Sequence, residues 1–453
     1  MDDMQNTART PMRSERLSLR SPNCNICYKA IISRTIEKDE FMRAVGLLCE
    51  RHPKLIATIE IDENNDAWYI PGAGSVGVEF FGAGDGMDWM KWFEITDGAP
   101  FDYRNGPLVK IGVISDTVKT NIIIIGNHLL GDGLSYLNLT KDLLLALDGR
   151  LDATPQLPYE GNRFRAKMKP GILLKLYVKS LNKAWRDSDR KRLSEDEYKT
   201  FFYEYRKKYP PKMRFASIKE PELSILLSAC KKAKITVNEA VAAALSAAIQ
   251  ENNKESYPGY NDKPIRLSIA VNIRNDLINP DANYMANYAT SISMKINYNH
   301  KRRFIVNALS IGRLLRKNLN NPKTRYLPIL FIHTLDPDFL ESAPYAAYGD
   351  YDNAASKKLA AAIGEKVVDK GFGLTNLGKQ DIGSFNSFIL EDFILIPCAY
   401  PAHIMNISVM TVNGRLDFCY RYSDTDISDA RVGQISAKTI EYLYELIPTD
   451  INK

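Results

Sequence analysis

The chain has 453 residues, 45% hydrophobic and 25% charged, with a formal net charge of +6 from 60 basic and 54 acidic residues. That composition excludes a disordered or fibrous protein, and a chain of this length buries a core without disulfide staples; at roughly 100–200 residues per domain it favours two domains. The basic excess falls short of a nucleic-acid footprint but suits a small anionic ligand.

The opening stretch MDDMQNTARTPMRSERLSLR has no apolar signal-peptide core, so a cytoplasmic location is expected. The longest notable uncharged stretch, 393–414, holds Pro397, Pro401, His403, Asn406 and Asn413. It reads as two core strands around a turn, and no transmembrane segment is expected. Of six cysteines only Cys24 and Cys27 are close in sequence. With no second CxxC and no His pair beside them, structural zinc is not expected, and the thiols fit a reducing compartment.

In chain order, Phe41, Val45, Leu48 and Cys49 recur at helical spacing within 36–52, and Pro53 ends that helix. Short strands follow at 55–61, 67–70 and 76–81, with a short helix within 85–95. Strands are expected at 108–115 and 121–125, the second an unbroken apolar run of the fully buried kind. A polar turn carrying His128 leads to a Leu-rich helix at 134–147, closed near Gly149. Residues 156–212 read as a basic linker with one helix at 172–186, a charged run best taken as solvated surface. Thr236 and Glu239 form a capping-box pair opening a helix through Gln250. Strands at 265–271 and 289–296, helices at 301–319 and 354–368, and strands at 385–396, 404–412 and 416–421 complete the pattern. Asn413-Gly414 marks a hairpin turn, and a last helix covers 429–446. The expected layout is mixed α/β: an N-terminal unit at 1–155, the linker at 156–212 and a C-terminal unit at 213–453.

Two glycine-rich stretches imitate nucleotide-binding motifs. Gly72-Ala-Gly74-Ser-Val-Gly77 fits GxGxxG, but Pro71 precedes it and a β-like run follows, where the mechanism needs a strand before and a helix after. Gly373 to Lys379 resembles a phosphate loop, yet Gln380 stands where Ser or Thr must bind magnesium. Of the five histidines, His52 sits at a helix end before proline, and His300 lies in a polar turn. His333 and His403 have no distinguishing context. His128 follows a buried strand and precedes Gly131-Asp132-Gly133, a turn that places a side chain at a cleft edge. There Asp132 can hold the loop through an ion pair, and Gly133 is expected to adopt a backbone denied to other residues.

Asn127-His128-Leu129-Leu130-Gly131-Asp132-Gly133 resembles the HHxxxDG motif of the chloramphenicol acetyltransferase-like superfamily, which includes condensation domains, alcohol acetyltransferases and polyketide-associated acyltransferases. Three further stretches agree in order and separation. Arg51-His52-Pro53 is similar to the family's RHP segment. Val271-Asn272-Ile273-Arg274, with Met285-Ala286-Asn287-Tyr288 after it, resembles VNLR and the GN stretch. Thr375-Asn376-Leu377-Gly378 looks like SNLG of the alcohol acetyltransferase branch. Asn127 replaces the motif's first His, and the DFGWG segment of plant BAHD acyltransferases is absent.

The resemblance implies two chloramphenicol acetyltransferase-like subdomains in a V-shaped pseudo-dimer with a central channel, and acyl transfer from a pantetheine thioester to an alcohol or amine. His128 is then the general base. Asp132, Gly133 and Arg274 support the site, Asp132 pairing with Arg274, and Asn127 and Asn376 are candidates for the channel or the oxyanion. Neutral imidazole suits the base role near pH 7, and the chemistry requires no metal, covalent nucleophile or permanently bound cofactor. Acyl-CoA or a phosphopantetheinyl carrier protein serves as donor. The alternatives are a carrier-dependent condensation enzyme of non-ribosomal peptide or polyketide type, and a non-catalytic binding module of the same fold.

Overall fold

The computed structural model describes residues 9–156, 169–256, 263–277, 284–364 and 370–447. Its organising element is strand Thr120–Asn127. Ile122, Ile123, Ile124 and Ile125 are all fully buried, which alternation permits only where both sheet faces are covered. Ile122 and Ile124 face a large core with helices Lys38–Arg51 and Gly133–Leu147. Ile123 and Ile125 face a smaller cluster with Trp92 and Phe93 of helix Trp89–Asp97.

This sheet has five strands in the order Leu390–Ile396, Asn25–Ile32, Thr120–Asn127, Val109–Ser115, Gly77–Phe81, antiparallel except for the last pair. A second, six-stranded sheet runs Ala289–Ile296, Ile265–Asn272, Gly371–Lys379, His403–Val412, Arg415–Ser423, Pro211–Lys219. Gly371–Lys379 is parallel to both its neighbours, and the other pairs are antiparallel. Helices Val237–Ser256, Phe304–Leu319 and Asp429–Tyr444 contribute to its core. The first of these is buried on every side from Ala240 to Ile249, as its run of alanines allows. A small antiparallel sheet of Thr10–Pro11, Ala67–Ile70 and Thr58–Ile61 completes the fold.

Several expected features are present as read. Thr236 and Glu239 exchange the two capping-box hydrogen bonds. Asn413 and Gly414 both adopt positive φ, 47° and 72°, in the hairpin turn. Glycines 72 to 77 form a turn that enters a strand.

Other features differ from the expected layout. The two strands within 390–412 belong to different sheets: Leu390–Ile396 pairs with Asn25–Ile32, while His403–Val412 lies in the second sheet. The segment with Pro397 and Pro401 carries the chain across. Strands Asn25–Ile32, Pro211–Lys219 and Gly371–Lys379, and helices Glu195–Lys208, Glu222–Lys232, Pro322–Thr334 and Pro337–Tyr348, were not expected.

The stretch read as a linker holds two helices, Ile172–Arg186 and Glu195–Lys208, that bury Val178, Leu181, Trp185, Tyr198, Phe201, Phe202 and Tyr205 in the first core. There Trp185 stacks on Phe339, ring centroids 5.0 Å apart. Arg163, Arg165 and Lys167 of that stretch lie outside the described residues, as do 365–369 at the end of the helix expected over 354–368. Because Phe339, Leu340, Leu359, Phe393 and Met410 also complete the first core, the two halves interleave in space rather than following the sequence divisions at 155 and 213.

Candidate active site at the turn after the central strand

Strand Thr120–Asn127 ends one residue before His128, and helix Gly133–Leu147 begins five residues after it. The turn between them is fastened from several directions. The His128 backbone N–H donates to the Cys24 carbonyl at 2.8 Å. Tyr136 donates to the Asn127 carbonyl at 2.8 Å, Tyr69 to the Leu129 carbonyl at 2.5 Å, and Tyr28 to the Gly133 carbonyl at 2.8 Å. The Lys54 ammonium reaches the carbonyls of Leu130 (3.2 Å) and Met285 (3.4 Å), bridging the turn to the second half. Burial pushes that lysine down to about 8, with Glu15 acting in the opposite direction.

Asp132 is the chief fastening. Its side chain caps the helix by accepting from the Ser135 N–H at 2.9 Å. The same carboxylate takes both arms of Arg274, at 2.7 and 2.9 Å, and the Tyr288 N–H at 2.9 Å. Both ion-pair members are almost wholly buried, and Arg274 also donates to the Ser135 hydroxyl and lies over the Tyr288 ring. Ser135 in turn donates to the Ala286 carbonyl at 2.8 Å. The motif turn of the first half is therefore locked to Arg274, Ala286 and Tyr288 of the second by a planar, two-pronged pair; the carboxylate's lone pairs are filled, while Arg274 Nε is buried without a partner.

What this scaffold holds is the His128 imidazole. Its Nδ1 is buried without a hydrogen-bond partner, whereas Nε2 is not enclosed in this way, so proton exchange with an outside molecule falls to Nε2. Burial lowers its pKa below the ordinary imidazole value, and nearby Asp132 only partly offsets this. The ring is thus neutral near pH 7, the form that can accept a proton.

The other sequence candidates occupy different roles. Asn127 accepts from the Leu129 N–H at 3.0 Å and donates to Asn25, which donates to Asp97. Burial would raise Asp97, but Arg206 and Arg421, both bonded to it, hold its carboxyl far below the usual range. The residue in place of the motif's first His thus ties the turn into an interior polar network. Asn376 sits beside a bulge in strand Gly371–Lys379, where its Oδ1 accepts from the Gly378 N–H at 2.8 Å.

Gly133 departs from expectation. Its φ is not positive and an added Cβ would meet nothing within 4 Å, because it simply opens the helix. Gly131 is the position that requires glycine: a Cβ there would lie 2.6 Å from Ser135 Cβ. Gly131→Ala is therefore expected to cost about 1–3 kcal/mol of stability by overpacking, whereas Gly133→Ala stays within about 0.5 kcal/mol. Chemical denaturation of the two variants decides this, and equal stabilities would contradict it.

The remaining histidines are accounted for elsewhere. His52 Nε2 meets Asp142 at 2.8 Å beside Arg51, a buried structural contact. His403 Nδ1 bonds Asn406 Oδ1 at 2.7 Å against Gly373, and burial, opposed by that bond, brings it to about 4. His300 is near Tyr442, and burial lowers His333 at the end of its helix. Sequence reasoning missed Lys54, Tyr69, Tyr136 and Tyr28 as supports of the turn. The tyrosines carried no signal beyond apolar periodicity, while Lys54 stood directly after the RHP segment and Ser135 two residues past the motif.

Two mixed sheets with their helices, and a strand-end histidine turn clasped between them, form a fold shared with solved condensation and epimerization domains and with an acetyltransferase. Three solved structures illustrate it. Trichothecene 15-O-acetyltransferase from Fusarium sporotrichioides is similar over 99% of this chain and 98% of its own, with a TM-score of 0.66 and 12% identity. Polyketide synthase associated protein 5 from Mycobacterium tuberculosis is similar over 97% and 100%, with a TM-score of 0.61 and 14% identity. The first condensation domain of the CDA synthetase is similar over 98% and 97%, with a TM-score of 0.62 and 11% identity. No protein-family model matches the sequence, and no curated protein matches it.

Proposed function

We propose that the chain is an acyltransferase that moves an acyl group from a pantetheine thioester to an alcohol or amine, with His128 as general base and no covalent intermediate. The observation that carries this reading is a neutral imidazole with one nitrogen enclosed, on a turn clamped from both halves. As the acceptor oxygen or nitrogen attacks the thioester carbon, His128 Nε2 takes its proton. The tetrahedral oxyanion collapses, the C–S bond breaks, and the proton passes to the leaving thiolate. Holding both substrates together supplies much of the rate. An oxyanion of this kind needs a donor. Asn376 is the candidate, because its Oδ1 is already committed to Gly378 and its amide nitrogen is the end left to donate.

Acyl-CoA is the proposed donor and a small-molecule alcohol or amine the proposed acceptor. The O-acetyltransferase among the similar structures supports the alcohol branch, and the condensation domains support a carrier-protein donor as the second reading. Initial-rate kinetics with acyl-CoA and with acyl-carrier protein distinguish the two donors. Intersecting double-reciprocal lines are expected with the productive one. Parallel lines together with a trapped acyl-enzyme would mean a covalent intermediate and overturn the mechanism, and no transfer from either donor would favour the non-catalytic reading.

A further inference from the structure

Helix Ile172–Arg186 is anchored to the first core by Val178, Leu181 and Trp185, with Leu174 packed against it. At 100° per residue, Ile172, Leu173 and Leu176 fall away from that anchoring face, and they are 76%, 84% and 59% exposed. Tyr177 continues the apolar surface by stacking on Phe331 of helix Pro322–Thr334, one turn from the exposed Leu327. Three neighbouring leucine-sized side chains in water are not the scattered exposure of an ordinary surface.

The helix and the residues leading into it carry charge of one sign. Residues 169–186 contain five basic and no acidic residues: Lys169, Lys175, Lys179, Lys183 and Arg186. Lys183 and Arg186 pair with Asp187 and Asp336, but Lys169, Lys175 and Lys179 make no ion pair among the described residues. Lys358 adds a further cation beside Tyr177. A second copy of the chain docking here face to face would bring these lysines together, so self-association is opposed. The sequence just before the helix adds Arg163, Arg165 and Lys167, again of the same sign.

We infer that this face docks on an anionic lipid bilayer, with Ile172, Leu173 and Leu176 entering the headgroup boundary and the unpaired lysines meeting lipid phosphates, as amphipathic helices with basic flanks do. The surface belongs to an anchored helix, so the protein lies on the membrane rather than spanning it; no helix among the described residues is long and apolar enough to cross one. The inference does not rest on the acyltransferase reading.

Co-sedimentation of the full chain tests it, using phosphatidylcholine vesicles with and without phosphatidylglycerol. Binding is expected only with phosphatidylglycerol, and should weaken with salt. The Ile172→Glu/Leu173→Glu/Leu176→Glu variant should bind at least about tenfold more weakly, and Lys175→Gln or Lys179→Gln roughly fivefold each. Both sets are solvent-facing, so an unchanged melting temperature confirms that the variants fold. Absence of vesicle binding, equal binding by the triple variant, or equal binding to neutral vesicles overturns the inference. So does a concentration-dependent dimer that the triple variant abolishes, since the face would then belong to a second copy.

Discussion

Replacing His128 by alanine is expected to lower turnover by about 10²–10⁴-fold while leaving the melting temperature where it was. The side chain contributes no hydrogen bond to the fold: its Nδ1 is unpartnered, and the turn is held through the backbone and through Asp132. Turnover unchanged in this variant would remove His128 from the mechanism. The pH profile adds a second readout. The proposed base works in its neutral form, and burial lowers the His128 pKa, so the neutral form persists further into acid. The acid limb of kcat/KM should have its midpoint below the ordinary imidazole value of ~6.5. Asp132 acts to raise the pKa, so Asp132→Asn should move the limb lower still, in whatever fraction of that variant folds.

Asp132→Asn and Arg274→Ala should each destabilise the fold by about 3–5 kcal/mol, because each leaves a buried charge without its counter-ion. Asp132→Asn also weakens the acceptors for the Ser135 and Tyr288 N–H groups, so it should be at least as damaging as Arg274→Ala. In urea unfolding the double variant should be less than additive, since the second substitution removes a charge that is already unpaired. Full additivity would mean that the two residues do not stabilise the fold as a pair.

The isoleucine strand, the helix after it and the hairpin at Asn413-Gly414 were legible because their signals are local: an apolar run, helical periodicity and a turn dipeptide. Strand Asn25–Ile32 was not. It lies beside the central strand and is buried almost throughout, but its sequence NICYKAII interrupts the apolar pattern with Lys29, whose charge is met by Asp392 at 2.8 Å from far along the chain. Strand Gly371–Lys379 was hidden by three glycines. Gly373 is needed there because His403 and Asn406 pack where a Cβ would stand. At the site, His128 could be singled out from its spacing. The partnership of Asp132 and Arg274, 142 residues apart, came only with the family resemblance, because no local pattern encodes a contact made across two sheets. The supporting tyrosines and Lys54 act through side-chain reach, which periodicity does not report.

The edge strand Leu390–Ile396 sets a timetable for the newborn chain. Asn25–Ile32 leaves the ribosome well before the strand that covers its outer edge, which is made more than 350 residues later. At roughly 5–20 residues per second, that is an interval on the order of 20–70 s. Throughout it, a nearly all-buried strand presents unpaired backbone groups to every other nascent chain nearby. Synthesis of this protein should therefore be sensitive to translation speed and to chaperones that shield strand edges. Ribosome-bound chains stalled before residue 390 should be far more prone to aggregate than those stalled well after residue 396.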